Sequence, residues 1–113
     1  MKSVAVAILN YNGSALLRKL LPLVVAHSPL ARVVVVDNGS TDDSQQIVDS
    51  TDGAEWLAVG ANLGYCGGYN FALSRLEEPF VVLLNSDVEV TAGWLEGPLA
   101  LLQKDERIAA VQP

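Results

Sequence analysis

Three near-continuous apolar runs, Val4–Leu9, Val33–Val36 and Phe80–Leu84, constrain this chain more than any other feature. A strand with one wet face alternates apolar and polar residues, whereas a strand covered on both faces carries an unbroken apolar run. These runs therefore predict parallel strands buried between layers. Glu55–Val59 and Ile108–Val111 are shorter candidates for the same role. Between the runs the spacing turns helical. Leu16, Leu17, Leu20, Leu21, Val24 and Val25 form one apolar stripe behind a cap at Asn12 or Ser14, with Pro22 expected to kink or shorten the helix. A second helix is expected from Ser40-Thr41, where Ser40 and Asp43 resemble a capping box, with Ile47 and Val48 turned inward. A third is expected from Gly67-Gly68 to Leu76, and a fourth after Thr91 with Leu95, Leu99 and Leu102 on one face. Alternation of strand and helix predicts an α/β fold, an open and mostly parallel sheet with helices on both faces.

The chain is long enough for one such domain: 113 residues, 50% of them apolar and 18% charged, with a mean hydropathy of +0.31. Its formal net charge is −6, and no Lys or Arg lies between Arg32 and Arg75. Nucleic acid is a poor partner for such a surface, because phosphates are met by basic stripes. No apolar run approaches the roughly 18 to 20 residues of a membrane span. Met1-Lys2-Ser3 leads straight into the first run without the cleavage site of a signal peptide, and Cys66 has no second cysteine to pair with. A reducing, cytoplasmic setting is expected, with the inner face of the membrane as a further option.

In sheets of this kind, ligands lie beyond the carboxyl ends of the strands. Four polar segments fall there: Asn10-Tyr11-Asn12-Gly13-Ser14, Asp37-Asn38-Gly39-Ser40-Thr41-Asp42, Gly60–Asn70 and Asn85-Ser86-Asp87. Asp37 and Asn38 either address the polar edge of a nucleobase or open an Asx turn before a helix. Gly60–Asn70 carries four glycines, which suit close approach to a pyrophosphate or, equally, a surface loop with tight turns. Tyr65 and Tyr69 weigh against a floppy segment. Asp87, with Glu89 two residues on, offers hard oxygen ligands of the kind that suit Mg²⁺ or Mn²⁺; the alternative is a solvated strand end. His27 and the tryptophans read as structural. No G-x-G-x-x-G follows the first strand and no G-K-[ST] occurs, which argues against a Rossmann dehydrogenase and a P-loop hydrolase.

Taken together, Val-Ala-Ile-Leu-Asn-Tyr-Asn ending at Asn12, Val-Val-Val-Asp-Asn-Gly-Ser-Thr-Asp ending at Asp42, Asn62-Leu-Gly64 with Gly67, Gly68 and Asn70, and Leu84-Asn-Ser-Asp87 resemble the family-2 glycosyltransferases of the GT-A fold. That resemblance implies transfer of a sugar from a UDP- or dTDP-sugar to a glycan or lipid-linked acceptor, with inversion, as in polysaccharide biosynthesis. It places Asn10, Tyr11 and Asn12 beside base and ribose, and Asp37 and Asn38 at the base. Asn62, Gly64 and Asn70 fall in the donor loop, and Asn85 and Ser86 beside the donor. Asp87 matches the metal-binding acid of the family's D-x-D motif, whose first acid is here Asn85. The resemblance makes residues 1–113 a single nucleotide-sugar-binding domain, the donor half of a longer catalytic domain whose base and acceptor site would lie beyond Pro113. A hexosyl or deoxyhexosyl transferase is implied, inactive in transfer as this chain alone, with an open sheet edge that could form a homodimer. The rival reading is a non-catalytic nucleotide-sugar-binding or interaction module.

Overall fold

The computed structural model describes residues 2–112. The three apolar runs become β1 (Val4–Asn10), β2 (Ala31–Asp37) and β4 (Phe80–Asn85), and Ala54–Ala58 forms β3. All pair in parallel, in the order β3-β2-β1-β4. Each of β1, β2 and β4 extends one residue past its apolar run, so that each ends on a polar side chain: Asn10, Asp37 and Asn85. The registers pair Asn10 with Asp37 and Leu9 with Asn85, which brings these three ends nearly level.

Helices cover both faces, as expected. On one face α1 (Ser14–Ala26), α2 (Ser44–Asp49) and α4 (Glu96–Lys104) pack on Val4, Val6, Ile8, Val33 and Val35 through Leu17, Leu21, Val24, Ile47, Val48, Leu95 and Leu99. On the other face α3 (Gly64–Arg75) lays Tyr69 and Ala72 against Ala7, Val34 and Val36. Burying a side chain such as Leu17 or Leu21 is worth about 1.5–3 kcal/mol. α4 is also tied to the end of α1, where Trp94 Nε1 donates to the buried Ser28 Oγ at 3.0 Å.

Four local expectations need correction. α1 is capped by neither Asn12 nor Ser14; its N-cap residue is Gly13, and the helix runs through Pro22 to Ala26. Pro22 sits on the exposed side, where the carbonyl it leaves without a helical partner can turn to water. α2 begins at Ser44 rather than Ser40, because Ser40 and Thr41 spend their backbone N–H groups on Asp37 and Asn12. α3 begins at Gly64, where Asn62 Oδ1 accepts from the Gly64 N–H at 2.9 Å, so most of the presumed glycine loop is helix. Ile108–Val111 is not a strand. It runs beside β4 without a ladder and leaves between them a cavity of ≈ 400 Å³, walled by Leu83, Trp94, Leu99 and Leu102.

At the amino-terminal rim, Arg32 bridges Glu55, at 2.7 and 3.0 Å, and the buried Glu78 at 2.9 Å. Burial, the largest single influence, pushes the Glu78 carboxyl up, but the Arg32 hydrogen bond and charge together with backbone N–H groups of Glu78 and Glu77 outweigh it, and the net displacement is downward. A carboxyl depressed by folding contributes stability above its unfolded pKa, about 4.3, and that contribution is lost as pH falls through the lower folded value. Urea unfolding should therefore show wild type more stable than Glu78→Gln at neutral pH, with the gap closing below about pH 4. A gap independent of pH would remove the ion pair from the stability of this end.

Candidate functional site

The carboxyl ends of β1 and β2 are joined by a hydrogen-bond network centred on Asp37. This side chain is buried, and both of its oxygens are fully used. Oδ1 accepts from Asn10 Nδ2 at 3.0 Å and from the Ser40 hydroxyl, while Oδ2 accepts from the backbone N–H groups of Gly39 at 3.2 Å and Ser40 at 2.8 Å. Four donors on one carboxylate amount to the Asx-turn alternative, extended across two strands. Asp37 thus holds the loop in shape and has no oxygen to spare.

Asn12 makes the second link. It sits at φ 50, a left-handed conformation that Asn tolerates better than most residues. There its N–H donates to Ser40 Oγ at 2.8 Å, and its Oδ1 accepts from the N–H groups of Thr41 at 2.7 Å and Asp42 at 3.3 Å. Asp42 closes the circuit, accepting from the Ser14 N–H at 3.1 Å and the Ser44 N–H at 3.0 Å. Slight burial raises its carboxyl, but the Ser44 and Ser14 hydrogen bonds hold it below the usual carboxylate range. Outside the network, Tyr11 is exposed at the tip of the β1 loop.

Asn38 is buried next to Asp37 and points toward α3, donating through Nδ2 to the Gly64 carbonyl at 3.0 Å. The strand ends are therefore linked to the donor-loop candidates Asn62 and Gly64. Gly68, now within α3, is pressed against this junction: a Cβ there would meet Leu9 Cδ1 at 2.5 Å and Asn38 Nδ2 at 2.9 Å. Gly13 plays the same part on the β1 loop, where a Cβ would meet Asn10 Oδ1 at 2.6 Å. The Oδ1 atoms of Asn10 and Asn38 are buried acceptors with no hydrogen-bond partner among the described residues. Unmet buried acceptors are costly; two of the three found among the described residues lie at this rim, and the third, Glu78 Oε2, lies at the opposite one.

Across the rim, Asn85 ends β4, and Ser86 and Asp87 follow it in a turn. Asp87 and Glu89 are exposed, and neither makes a hydrogen bond or ion pair among the described residues. Tyr65, on the first turn of α3, reaches over to this turn and donates its hydroxyl to Asn85 Oδ1 at 3.4 Å. Its ring stands edge-on against Tyr69, centroids 5.0 Å apart. Tyr69 is buried and donates to the Leu84 carbonyl at 2.9 Å, and burial pushes its hydroxyl up to about 12. Asn70 is exposed on the next position of α3, apart from the network.

The structure thus brings Asn10, Asn12, Asp37, Asn38, Asn62, Gly64, Asn85, Ser86 and Asp87 to one rim, with Tyr11 and Asn70 at its margins. Sequence reasoning overlooked Ser40, Asp42 and the bracing role of Tyr65. The four-residue spacing of Tyr65 and Tyr69 was the available signal for that last role, since such pairs share a helix face. Among the described residues no three His, Cys, Asp or Glu side chains converge closely enough to hold a metal ion. Asp87 alone fits a cation that keeps several waters and draws its other oxygens from a bound diphosphate, the usual habit of Mg²⁺. Size does not locate the site. A depression of ≈ 770 Å³ lies at the opposite rim around Lys2, Arg32, Arg75 and Glu78, and Arg32 there is already paired.

A family model described as Glycosyl transferase family 2 matches residues 5–113. Among curated proteins, none matches the chain. Among solved structures, the chain is similar to S. aureus TarS 1-349 at 27% identity and a TM-score of 0.77, covering 94% of this chain and 33% of that one. It is also similar to the mannosyltransferase PcManGT from Pyrobaculum calidifontis, solved with GDP-Man and Mn²⁺: 25% identity, TM-score 0.69, 80% of this chain and 29% of that one. Glucosyl-3-phosphoglycerate synthase from Mycobacterium tuberculosis, solved with Mn²⁺, UDP and glucosyl-3-phosphoglycerate, shares the fold at 24% identity and a TM-score of 0.68, over 87% of this chain and 39% of that one. The chain spans well under half the length of each of these structures.

Proposed function

The chain belongs to glycosyl transferase family 2, and from that premise we propose that its carboxyl rim binds a nucleoside-diphosphate sugar and forms the donor-binding part of an inverting sugar transfer. The observation that carries this reading is the rim itself. The level ends of three adjacent parallel strands present buried amide acceptors on one side and a free carboxylate on the other.

The residues divide the ligand between them. The end of the rim floored by Asn10 and Asn38 is the one proposed to take the base, and a pyrimidine in UDP or dTDP is the base proposed. Exposed Tyr11 offers an aromatic face at the same end. Asp37, saturated by its own loop, orients Asn10 and Ser40 and touches no ligand. Asp87 would hold Mg²⁺ or Mn²⁺ together with the diphosphate. The cation, when bound, withdraws charge from the leaving phosphate. This division suits rim loops that carry no Lys or Arg, because countercharge for the diphosphate then comes from metal and N–H groups. The crystallisation of two of the structural neighbours with Mn²⁺ supports the same assignment.

No catalytic base is assigned within residues 1–113. Asp37, Asp42 and Asp43 are engaged in loop hydrogen bonds or an ion pair, and Asp87 is given to the cation. Residues 1–113 are accordingly proposed to bind donor but not to transfer it at a useful rate, since a positioned base typically contributes about 10²–10⁴-fold. Self-association along the open side of β4, where Leu83 is exposed, belongs to the same proposal. No helix among the described residues is long and apolar enough to cross a membrane.

Calorimetric titration of the chain with UDP, dTDP and GDP, each with Mn²⁺ and with chelator, tests the reading. The pyrimidine diphosphates are expected to bind more tightly with Mn²⁺, and Asp87→Ala to remove that gain, about tenfold or more in affinity. Titrations identical with and without metal would overturn the role of Asp87. GDP binding tighter than both pyrimidine nucleotides would overturn the choice of base.

A further inference from the structure

Tyr11 is 53% exposed at the tip of the β1 loop, and its hydroxyl makes no hydrogen bond among the described residues. Whatever sets its ring must act through the backbone on either side, and both neighbours are fastened to the loop after β2. Upstream, the Asn10 carbonyl accepts from the Asn38 N–H at 2.9 Å. Downstream, Asn12 turns at φ 50, donates its N–H to Ser40 Oγ at 2.8 Å, and accepts at Oδ1 from the Thr41 and Asp42 N–H groups. The directions of these bonds are fixed by their chemistry. Backbone N–H groups only donate, so Asn12 Oδ1 and Ser40 Oγ must be acceptors. The single proton of the Ser40 hydroxyl goes to the Asp37 carboxylate, and its second lone pair takes Asn10 Nδ2 at 3.2 Å. Ser40 is thereby saturated, and the Asn12 oxygen is spent inside the protein.

We propose that Asn12 is a positioning residue for base recognition: its clasp on Ser40, Thr41 and Asp42 fixes the left-handed turn that holds the Tyr11 ring at the base end of the rim. The inference rests on the rim binding a nucleoside diphosphate with its base at that end. A ring on a free loop loses its freedom when the ligand arrives, and affinity suffers by that amount; a ring on a fixed turn has little freedom left to lose. Asparagine suits the position for two separable reasons. It tolerates the left-handed conformation, and its side chain supplies the acceptor that meets Thr41 and Asp42. Glycine has the first property without the second, alanine has neither, and aspartate has both.

The test titrates UDP and inorganic pyrophosphate calorimetrically, each at saturating Mn²⁺. Pyrophosphate reads the phosphate end alone, so the ratio of the two affinities reads the base end and cancels any general loosening or change of charge. Asn12→Ala should lower that ratio about tenfold, the scale of losing one aromatic stack on a base. Asn12→Gly should fall in between and Asn12→Asp should stay near wild type, and these two carry the test if the alanine variant does not fold. Tyr11→Ala should lower the ratio by itself, and in that background Asn12→Ala should add nothing, as residues acting through one another do in a double-mutant cycle. If Asn12→Ala keeps the wild-type ratio, whether both affinities hold or both fall together, this inference fails and the donor site stands. A full second loss in the Tyr11→Ala background would make Asn12 a ligand contact in its own right and would also overturn it. A wild type that binds UDP no more tightly than pyrophosphate removes the base end, and both readings fall with it.

Discussion

Asp37→Ala is expected to cost about 3 kcal/mol or more of unfolding free energy, because it strands donors that were satisfied by a charged acceptor. Asn10 Nδ2 and the Gly39 and Ser40 N–H groups all close on this carboxylate, and Asn10 is 1% exposed. Water cannot readily replace a partner that far inside. Loss of the loop should also abolish nucleotide binding, although Asp37 itself meets no ligand in this account. Urea unfolding measures the first effect, read from the midpoint at constant slope. A variant as stable as wild type that also still binds UDP would show that the network is ornamental. Asp37→Asn should fall between, since its amide keeps one acceptor oxygen and turns a donor toward donors.

Gly68→Val is the second large effect. The added Cβ would lie 2.5 Å from Leu9 Cδ1 and 2.9 Å from Asn38 Nδ2, so the side chain of Asn38 or the whole of α3 must shift. Overpacking of this kind costs typically about 1–3 kcal/mol, and here valine also lowers helix propensity. Shifting Asn38 breaks its bond to the Gly64 carbonyl and releases the junction between β2 and α3. The expected outcome is a lower urea midpoint together with weaker UDP binding, with Gly68→Ala showing a smaller loss of both. If the valine variant kept the wild-type midpoint, the close packing of α3 on Asn38 would be slack rather than fitted.

How much of this was legible beforehand depended on how locally each feature is encoded. The strands were readable because Val4–Leu9, Val33–Val36 and Phe80–Leu84 carry burial on both faces in their own composition. The polar rim followed from them, since any residue placed just after such a run must end up at the carboxyl edge. The links across the rim were not readable. That Ser40 serves both Asn10 and Asn12 depends on the register of β1 with β2, a relation between residues 28 and 30 positions apart. The start of α3 was misplaced because glycine argues for loops, while the local signal at its true start, the Gly64 N–H donating to Asn62 Oδ1, spans only two positions. Ile108–Val111 has strand composition but lies beside β4 without forming the ladder that would make it one. Composition records a preference for burial and cannot record the absence of a partner.

The pairing of β1 with β4 joins Val4 to Phe80, so one wall of the rim comes from the start of the chain and the other from far along it. Bringing such distant segments together carries the largest loop-closure cost in the sheet, and local helices form well before contacts of this range. A partly folded chain can therefore possess the Asn10–Asp37 loop and still lack Asn85 and Asp87 beside it. On the proposed function, the capacity to hold a diphosphate thus depends on the β1–β4 pairing as well as on the loop between β1 and β2.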